Sequence, residues 1–310
     1  MNEEHELVRR LRDEILRSFN EVLVEENGPE KSVENISSLR KAELQVVGDY
    51  NRFDPKARVE LLGWVRAIEA PLRAKTVVRE NFLICSGSGS GKSFFVEQVG
   101  SDLGPRVKFL RLNLAKQSEE EVSRALARLD RLREPTLVLV DEIDARTGEA
   151  WPYERIFSYL DGNLLPTRQR VFVLAGSCQG GIRAMVDLII SRPKGPDLLD
   201  RIPDDRRFEI PALCREDRAA IFATNVGKAA ATRRMRISQI EKLAVYYVVV
   251  SENSSRQLRD LAYSAVSRLK AADDRVCFDD LFRRGEQSSH TFCSAHQLAV
   301  ERLANRWVEI

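Results

Sequence analysis

The stretch Ser86-Gly87-Ser88-Gly89-Ser90-Gly91-Lys92-Ser93 brings together residue types that bind phosphate. Glycines let successive backbone N–H groups turn toward phosphate oxygens, Lys92 reaches the outer phosphates, and Ser93 offers a hydroxyl to Mg²⁺. A helix beginning there adds its positive end. The ligand this chemistry implies is a nucleoside triphosphate with magnesium, and the residues assigned to hold it are Gly87, Ser88, Gly89, Ser90, Gly91, Lys92, Ser93 and Phe94. The strict pattern has glycine where Ser86 stands. A Gly/Ser-rich linker has similar composition, but linkers do not join a buried-type strand to an amphipathic helix.

A second constellation lies at Thr136-Leu137-Val138-Leu139-Val140-Asp141-Glu142. The apolar run is too short for a helix and ends in two carboxylates, the pattern of a buried parallel strand delivering them to its C-terminal edge. Ligands of open α/β sheets bind at that edge. Asp141 is therefore assigned, with Ser93, to the Mg²⁺ shell, and Glu142 to orienting and deprotonating the water that attacks the γ-phosphate.

These groups require a strand–loop–helix unit within a parallel sheet. Phe82 to Cys85 reads as the strand before the loop, Val107 to Leu112 as the next, Val171 to Ala175 as a fourth, and Arg207 to Ile210 as a short fifth. Helical segments separate them, which predicts an α/β fold: a five-stranded, mainly parallel P-loop sheet with helices on both faces. Upstream, apolar residues recur helically from Leu7 to Leu23, and Gly28-Pro29 stops that helix. Ser37 or Ser38 caps a second helix through Val47, and Asp54-Pro55 opens a third. They form an adaptor or, more simply, a helical brace. From Glu216 onward the chain reads as wholly helical, including Tyr246 to Val250, where helical period overrides β-propensity. The expected division is a helical extension at 1–52, a nucleotide-binding domain at 53–213, a helical lid at 214–285 and a C-terminal helix at 286–310.

The chain has 310 residues and a net charge of +2, which points to neither nucleic acid nor an anionic membrane as a partner. No apolar run is long enough to span a membrane, and the opening residues do not read as a signal peptide, so the expected location is cytoplasmic. The five cysteines are scattered and read as reduced. His290, Cys293 and His296 lack a fourth metal ligand. Lys228, Arg233, Arg234 and Arg236 form a basic cluster without interleaved aromatics, read as a solvated face.

With both nucleotide motifs placed, roughly Phe53 to Gly285 resembles the AAA+ ATPases, closest to the classical branch by motif pattern. Leu137 to Asp144 (LVLVDEID) is similar to that family's second motif, and Phe157 to Gly162 to its helix ending in Asp-Gly. The resemblance implies a five-stranded α/β domain with a small helical lid, assembled into a ring. It places Ser177 at the sensor-one position and Arg256, after Ser254-Ser255, at the sensor-two position. Arg201, with Arg206 and Arg207 as alternates, takes the arginine-finger position. The family's threading signature is absent from Asn113-Leu114-Ala115-Lys116-Gln117, so axial threading of clients is not expected. The resulting expectation is an oligomeric Mg²⁺-dependent ATP hydrolase that remodels or regulates a protein partner. The alternative is an ATP-gated switch on DNA, of the initiation or transposition regulator type; nucleic acid is the less favoured partner.

Overall fold

The computed structural model describes residues 28–87, 89–161, 168–251, 253–283 and 288–310. The expected helix from Leu7 to Leu23, Ser88 of the phosphate loop and Gly162 fall outside the described residues.

Contacts divide the chain into two units, one built from residues 44–214 and the other from its N-terminal segment together with residues 215–310. The N-terminal segment contributes α1 (Pro29–Asn35) and α2 (Lys41–Leu44). Next come β1 (Gln45–Val47) and β2 (Tyr50–Asn51), an antiparallel hairpin turning at Gly48, whose φ of +55° favours glycine. This corrects the helix expected from Ser37 or Ser38 through Val47. The β-branched pair Val46-Val47 followed by a left-handed glycine favours a strand and turn, and Pro29 occupies the first position of α1.

The first unit continues with α3 (Pro55–Arg73), capped as expected by Asp54, whose side chain accepts the Lys56 N–H at 2.9 Å. Then follow β3 (Arg79–Ser86), α4 (Lys92–Asp102), β4 (Lys108–Asn113), α5 (Glu119–Arg131), β5 (Thr136–Asp141), α6 (Trp151–Leu160), β6 (Arg170–Ser177), α7 (Gly181–Ile190), α8 (Gly195–Leu199) and β7 (Arg207–Glu209). Ser118 closes a capping box with Glu121 at the start of α5. The five strands form a parallel sheet in the order β4-β5-β6-β3-β7. Ser86 pairs with Ser177 and Asp141 with Ala175, so the chain leaves β3, β5 and β6 at one edge.

Strand alternation sorts the side chains into two cores. Leu83, Cys85, Val138, Val140, Phe172 and Leu174 join the core containing residues of α5, α6, α7 and α8. Phe82, Ile84, Leu137, Leu139, Val171 and Val173 join the opposite core, with α3, α4 and the β1–β2 hairpin. Every residue of β5 is buried, and each sealed Val or Leu contributes roughly 1.5–3 kcal/mol relative to exposure. The sheet thus has helices on both faces, as the sequence predicts.

The second unit adds α9 (Arg215–Thr232), β8 (Gln239–Glu241), α10 (Lys242–Val250), α11 (Ser255–Arg268), β9 (Arg275–Val276), α12 (Ser288–Ala295), α13 (Gln297–Leu303) and β10 (Trp307–Glu309). It is not wholly helical. A three-stranded sheet in the order β10-β8-β9 joins its segments, and the stretch expected as a C-terminal helix contains α12, α13 and β10. Strands of two or three residues are too short to show alternation. The helical reading of Tyr246 to Val250 agrees with α10. Residues 28–43 belong here by specific bonds: Tyr246 Oη donates to Glu30 at 2.8 Å, and Arg306 donates to Glu34 at 2.7 Å.

Candidate functional site

The loop between β3 and α4 needs glycine where the backbone turns left-handed, at Gly89 (φ +79°) and Gly91 (φ +87°). Ser86, the departure from the strict pattern, is buried; its hydroxyl contacts that of Ser90, which donates to the Gly87 carbonyl at 2.9 Å. The extra hydroxyl is therefore satisfied within the loop. Lys92 opens α4, is buried, and donates to Ser177 Oγ at 2.8 Å. Ser177 ends β6, and its N–H donates to Asp144 Oδ1 at 3.0 Å. Ser177 is thus bonded to Lys92 through its hydroxyl and to Asp144 through its backbone N–H.

Ser93 Oγ donates to Asp141 Oδ1 at 2.8 Å, while Oδ2 of the same buried carboxylate receives Arg111. Arg111 also reaches Glu97. A hydroxyl and a carboxylate, both hard oxygen donors, meet where the phosphate loop becomes a helix, and this donor set fits Mg²⁺. Among the described residues, no group of three or more His, Cys, Asp or Glu forms a separate metal cluster.

Glu142 follows β5 with φ +59°, a left-handed conformation that is unusual for a non-glycine residue. Burial raises its carboxyl above the usual range, and the charges of Asp141 and Asp144 push the same way against Lys92 and Arg111. Arg192, 7% exposed, holds the turn that follows. It donates to the carbonyls of Ile143 at 3.1 Å, Ala145 at 2.9 Å, and Asp144. Tyr153, under the Arg192 guanidinium, donates to Ile143 O at 3.2 Å.

Asp144, Arg192, Arg111 and Tyr50 were not singled out by sequence. The Tyr50 ring packs 5.2 Å from Phe95 and 6.2 Å from the half-exposed Phe94, and a side chain at Gly91 would approach it to 3.3 Å. Tyr50 thereby walls the phosphate loop beside Phe94. The doublet of Asp141 and Asp144 around Glu142 was a visible signal for Asp144; the other three carry no local motif.

The remaining assigned residues lie elsewhere. Arg201 faces Phe157 at 4.5 Å and Asp161 at 3.5 Å. Arg206 meets Glu80 at 3.3 Å, and Arg207 meets Asp204 at 2.6 Å while also donating to Ile202 and Leu199 carbonyls, each at 2.9 Å. Arg256 is exposed in the first turn of α11, whose N-cap is Ser254, and belongs to the second unit. Leu114 is fully buried, and Arg146 ties its loop down by donating to Leu114 O at 2.8 Å and Gln117 O at 3.2 Å. In the basic cluster, Arg233 reaches the carbonyls of Val266 and Leu269. His296 shares a hydrogen bond of 3.0 Å with Tyr246. All five cysteines are free, and burial pushes the Cys85 thiol up to about 12, as suits an inert core residue. No helix among the described residues is long and apolar enough to cross a membrane.

A parallel sheet ordered 2-3-4-1-5 by strand appearance, with a glycine-rich phosphate loop after its first strand, defines a P-loop nucleoside triphosphatase fold. A variant of RuvB from Thermotoga maritima, an AAA+ P-loop protein, is similar with a TM-score of 0.50 at 16% identity, covering 87% of this chain and 76% of that one. A second RuvB variant from the same organism gives a TM-score of 0.48 at 16% identity over 73% and 66% of the two chains, too distant to add to the argument. Likeness at this identity shows the fold. No protein-family model matches the chain. No curated protein matches it either.

Proposed function

We propose that this chain is an Mg²⁺-dependent ATP hydrolase of the AAA+ type that works as an oligomer, coupling ATP binding and hydrolysis to remodelling or regulating a protein partner. The observation that carries the reading is the convergence of Lys92, Ser177, Ser93, Asp141 and Glu142 at one edge of the sheet. Backbone N–H groups of the loop and the start of α4 bind phosphate oxygens, and Lys92 adds the charge that neutralises the outer ones. Ser93 and Asp141 would hold Mg²⁺, which when bound shields the charge on the phosphates. Ser177, held by Asp144, positions Lys92. Glu142, with its raised proton affinity, takes the proton of the attacking water. In this reading residues 53–213, with the Gln45–Asn51 hairpin packed into their core, are the catalytic domain, residues 214–285 are a lid domain that carries Arg256, and residues 286–310 follow it.

Arg201 is proposed as the finger that completes a neighbouring subunit's site. Asn81 donates to the Arg201 carbonyl at 2.8 Å, near the start of β3. At about 3.3 Å per residue, that position lies roughly 16 Å from the phosphate loop along the strand. This distance supports action in trans, because an arginine side chain there cannot reach its own subunit's γ-phosphate. Arg206 is the alternate; Arg207 has the largest share of its donors committed to the fold. The buried, tethered Leu114 supports the expectation that clients are not gripped by that loop.

Mixing tests the reading. Lys92→Ala should abolish ATP binding, Arg201→Ala should retain binding with little turnover, and a mixture of the two variants should regain turnover by pairing an intact pocket with an intact finger. Turnover proportional to protein concentration down to the monomer would contradict the oligomeric site. ATP-dependent, salt-sensitive DNA binding with little turnover would favour the ATP-gated DNA switch instead.

A further inference from the structure

Asp141 carries an arrangement beyond what a phosphate loop requires. Its carboxylate is 2% exposed, with Oδ1 receiving the Ser93 hydroxyl and Oδ2 receiving the guanidinium of Arg111 from the neighbouring strand β4. The other arm of that guanidinium is held by Glu97, one turn beyond Ser93 on α4. A buried carboxylate stripped of water requires a partner, whereas exposed ion pairs contribute little. Arg111 meets both conditions at once: it serves the buried Asp141 and leans on the partly exposed Glu97, with side-chain exposures of 44% for Arg111 and 32% for Glu97.

We infer that Arg111 and Glu97 form a charge-setting pair that tunes how strongly Asp141 and Ser93 hold Mg²⁺. The inference rests on the proposed nucleotide site. Asp141 and Glu97 are each negative and Arg111 is positive, so the three carry a net charge of −1. Arg111 supplies the counter-charge for Asp141 when no metal is bound, and it repels an arriving cation. Glu97 opposes that repulsion and keeps Arg111 drawn toward α4. Removing Arg111 leaves the three positions with a charge of −2, carried by Asp141 and Glu97, and removing Glu97 leaves them neutral. The two variants therefore act in opposite directions, whereas loss of a merely structural contact would weaken the site in both.

The test uses the full chain with ADP and Mg²⁺ as probes, which avoids turnover. The Mg²⁺ concentration giving half-maximal ADP binding is read by calorimetry, and melting temperature is measured with and without Mg²⁺. Arg111→Gln should lower the Mg²⁺ midpoint about tenfold, and Glu97→Gln should raise it by a similar factor, as expected for one unit charge near a divalent ion in a partly solvated site. The double variant should return close to the parent. Metal-free Arg111→Gln should also melt below the parent, with a larger recovery on adding Mg²⁺ and ADP. Midpoints that shift in the same direction, or do not shift, would overturn the inference while leaving the nucleotide site intact. A parent chain showing no Mg²⁺-dependent ADP binding would overturn both.

Discussion

Arg192 and Arg170 are both nearly sealed from solvent, at 7% and 6% exposure, and both direct their guanidinium groups to backbone carbonyls. Arg170 begins β6, at the edge of the sheet remote from the phosphate loop. It donates to the carbonyls of Leu129 at 3.2 Å, Leu132 at 2.7 Å and Glu134 at 2.8 Å, joining the end of α5 to the segment that leads into β5. Arg192 follows α7 and collects the carbonyls of Ile143, Asp144 and Ala145, immediately beyond Glu142. The same chemistry serves a helix end at one edge and the turn after the proposed base at the other. What differs is what the bonded carbonyls belong to: a helix end in one case, the segment that fixes a left-handed glutamate in the other.

Substitution should separate the two arginines. Arg192→Lys keeps the charge but can no longer span three carbonyls, so the turn loosens and Glu142 loses its setting. Turnover should fall by roughly 10–100-fold with ATP affinity nearly unchanged, the signature of a residue acting in the chemical step. Single-turnover rates beside equilibrium binding check this, and an equal loss in both would return Arg192 to a structural role. Arg170→Met should instead destabilise the fold by about 1–3 kcal/mol, since the Leu132 carbonyl loses this donor while Leu129 O keeps the Leu132 N–H and Glu134 O keeps the Thr136 hydroxyl. Turnover per folded molecule should stay close to the parent; denaturant unfolding alongside active-site titration distinguishes the outcomes.

A smaller effect concerns pH. Glu142 must be ionised to accept a proton, and its raised affinity for that proton shifts the acid limb of the rate profile above the ordinary glutamate range. The sign for stability follows. A group whose folded pKa lies above its unfolded value contributes stability when protonated, and that contribution is lost as pH rises through the folded pKa. Glu142→Gln should therefore melt slightly above the parent at pH 8, with the difference closing as pH falls through the raised folded pKa toward the ordinary glutamate value. A constant offset across that range would remove the carboxyl's ionisation as the cause.

The parts of this molecule visible in sequence are those encoded locally. The apolar run Thr136 to Val140 ending in Asp141-Glu142, the glycines at positions 89 and 91, and the Asp54-Pro55 cap each carry their structural reason within a few residues. What remained hidden is encoded between distant segments. β8 pairs with β10 across Glu241 and Trp307, residues far apart in the chain, in strands too short to alternate visibly. The hairpin Gln45 to Asn51 was masked by helix-compatible residues before it, so Tyr50 was missed. Arg111 and Arg192 sit in ordinary sequence, and only the fold brings them to Asp141 and to the turn after Glu142.

The central claim is that the edge carrying Glu142 performs hydrolysis. Glu142→Gln changes one oxygen to nitrogen and removes the base while leaving Lys92, Ser93 and Asp141 in place. The most direct measurement is ATP affinity and turnover of this variant beside the parent. The account predicts affinity within a few-fold of the parent and turnover reduced by about 100-fold or more. A variant that hydrolyses ATP at the parental rate would contradict it.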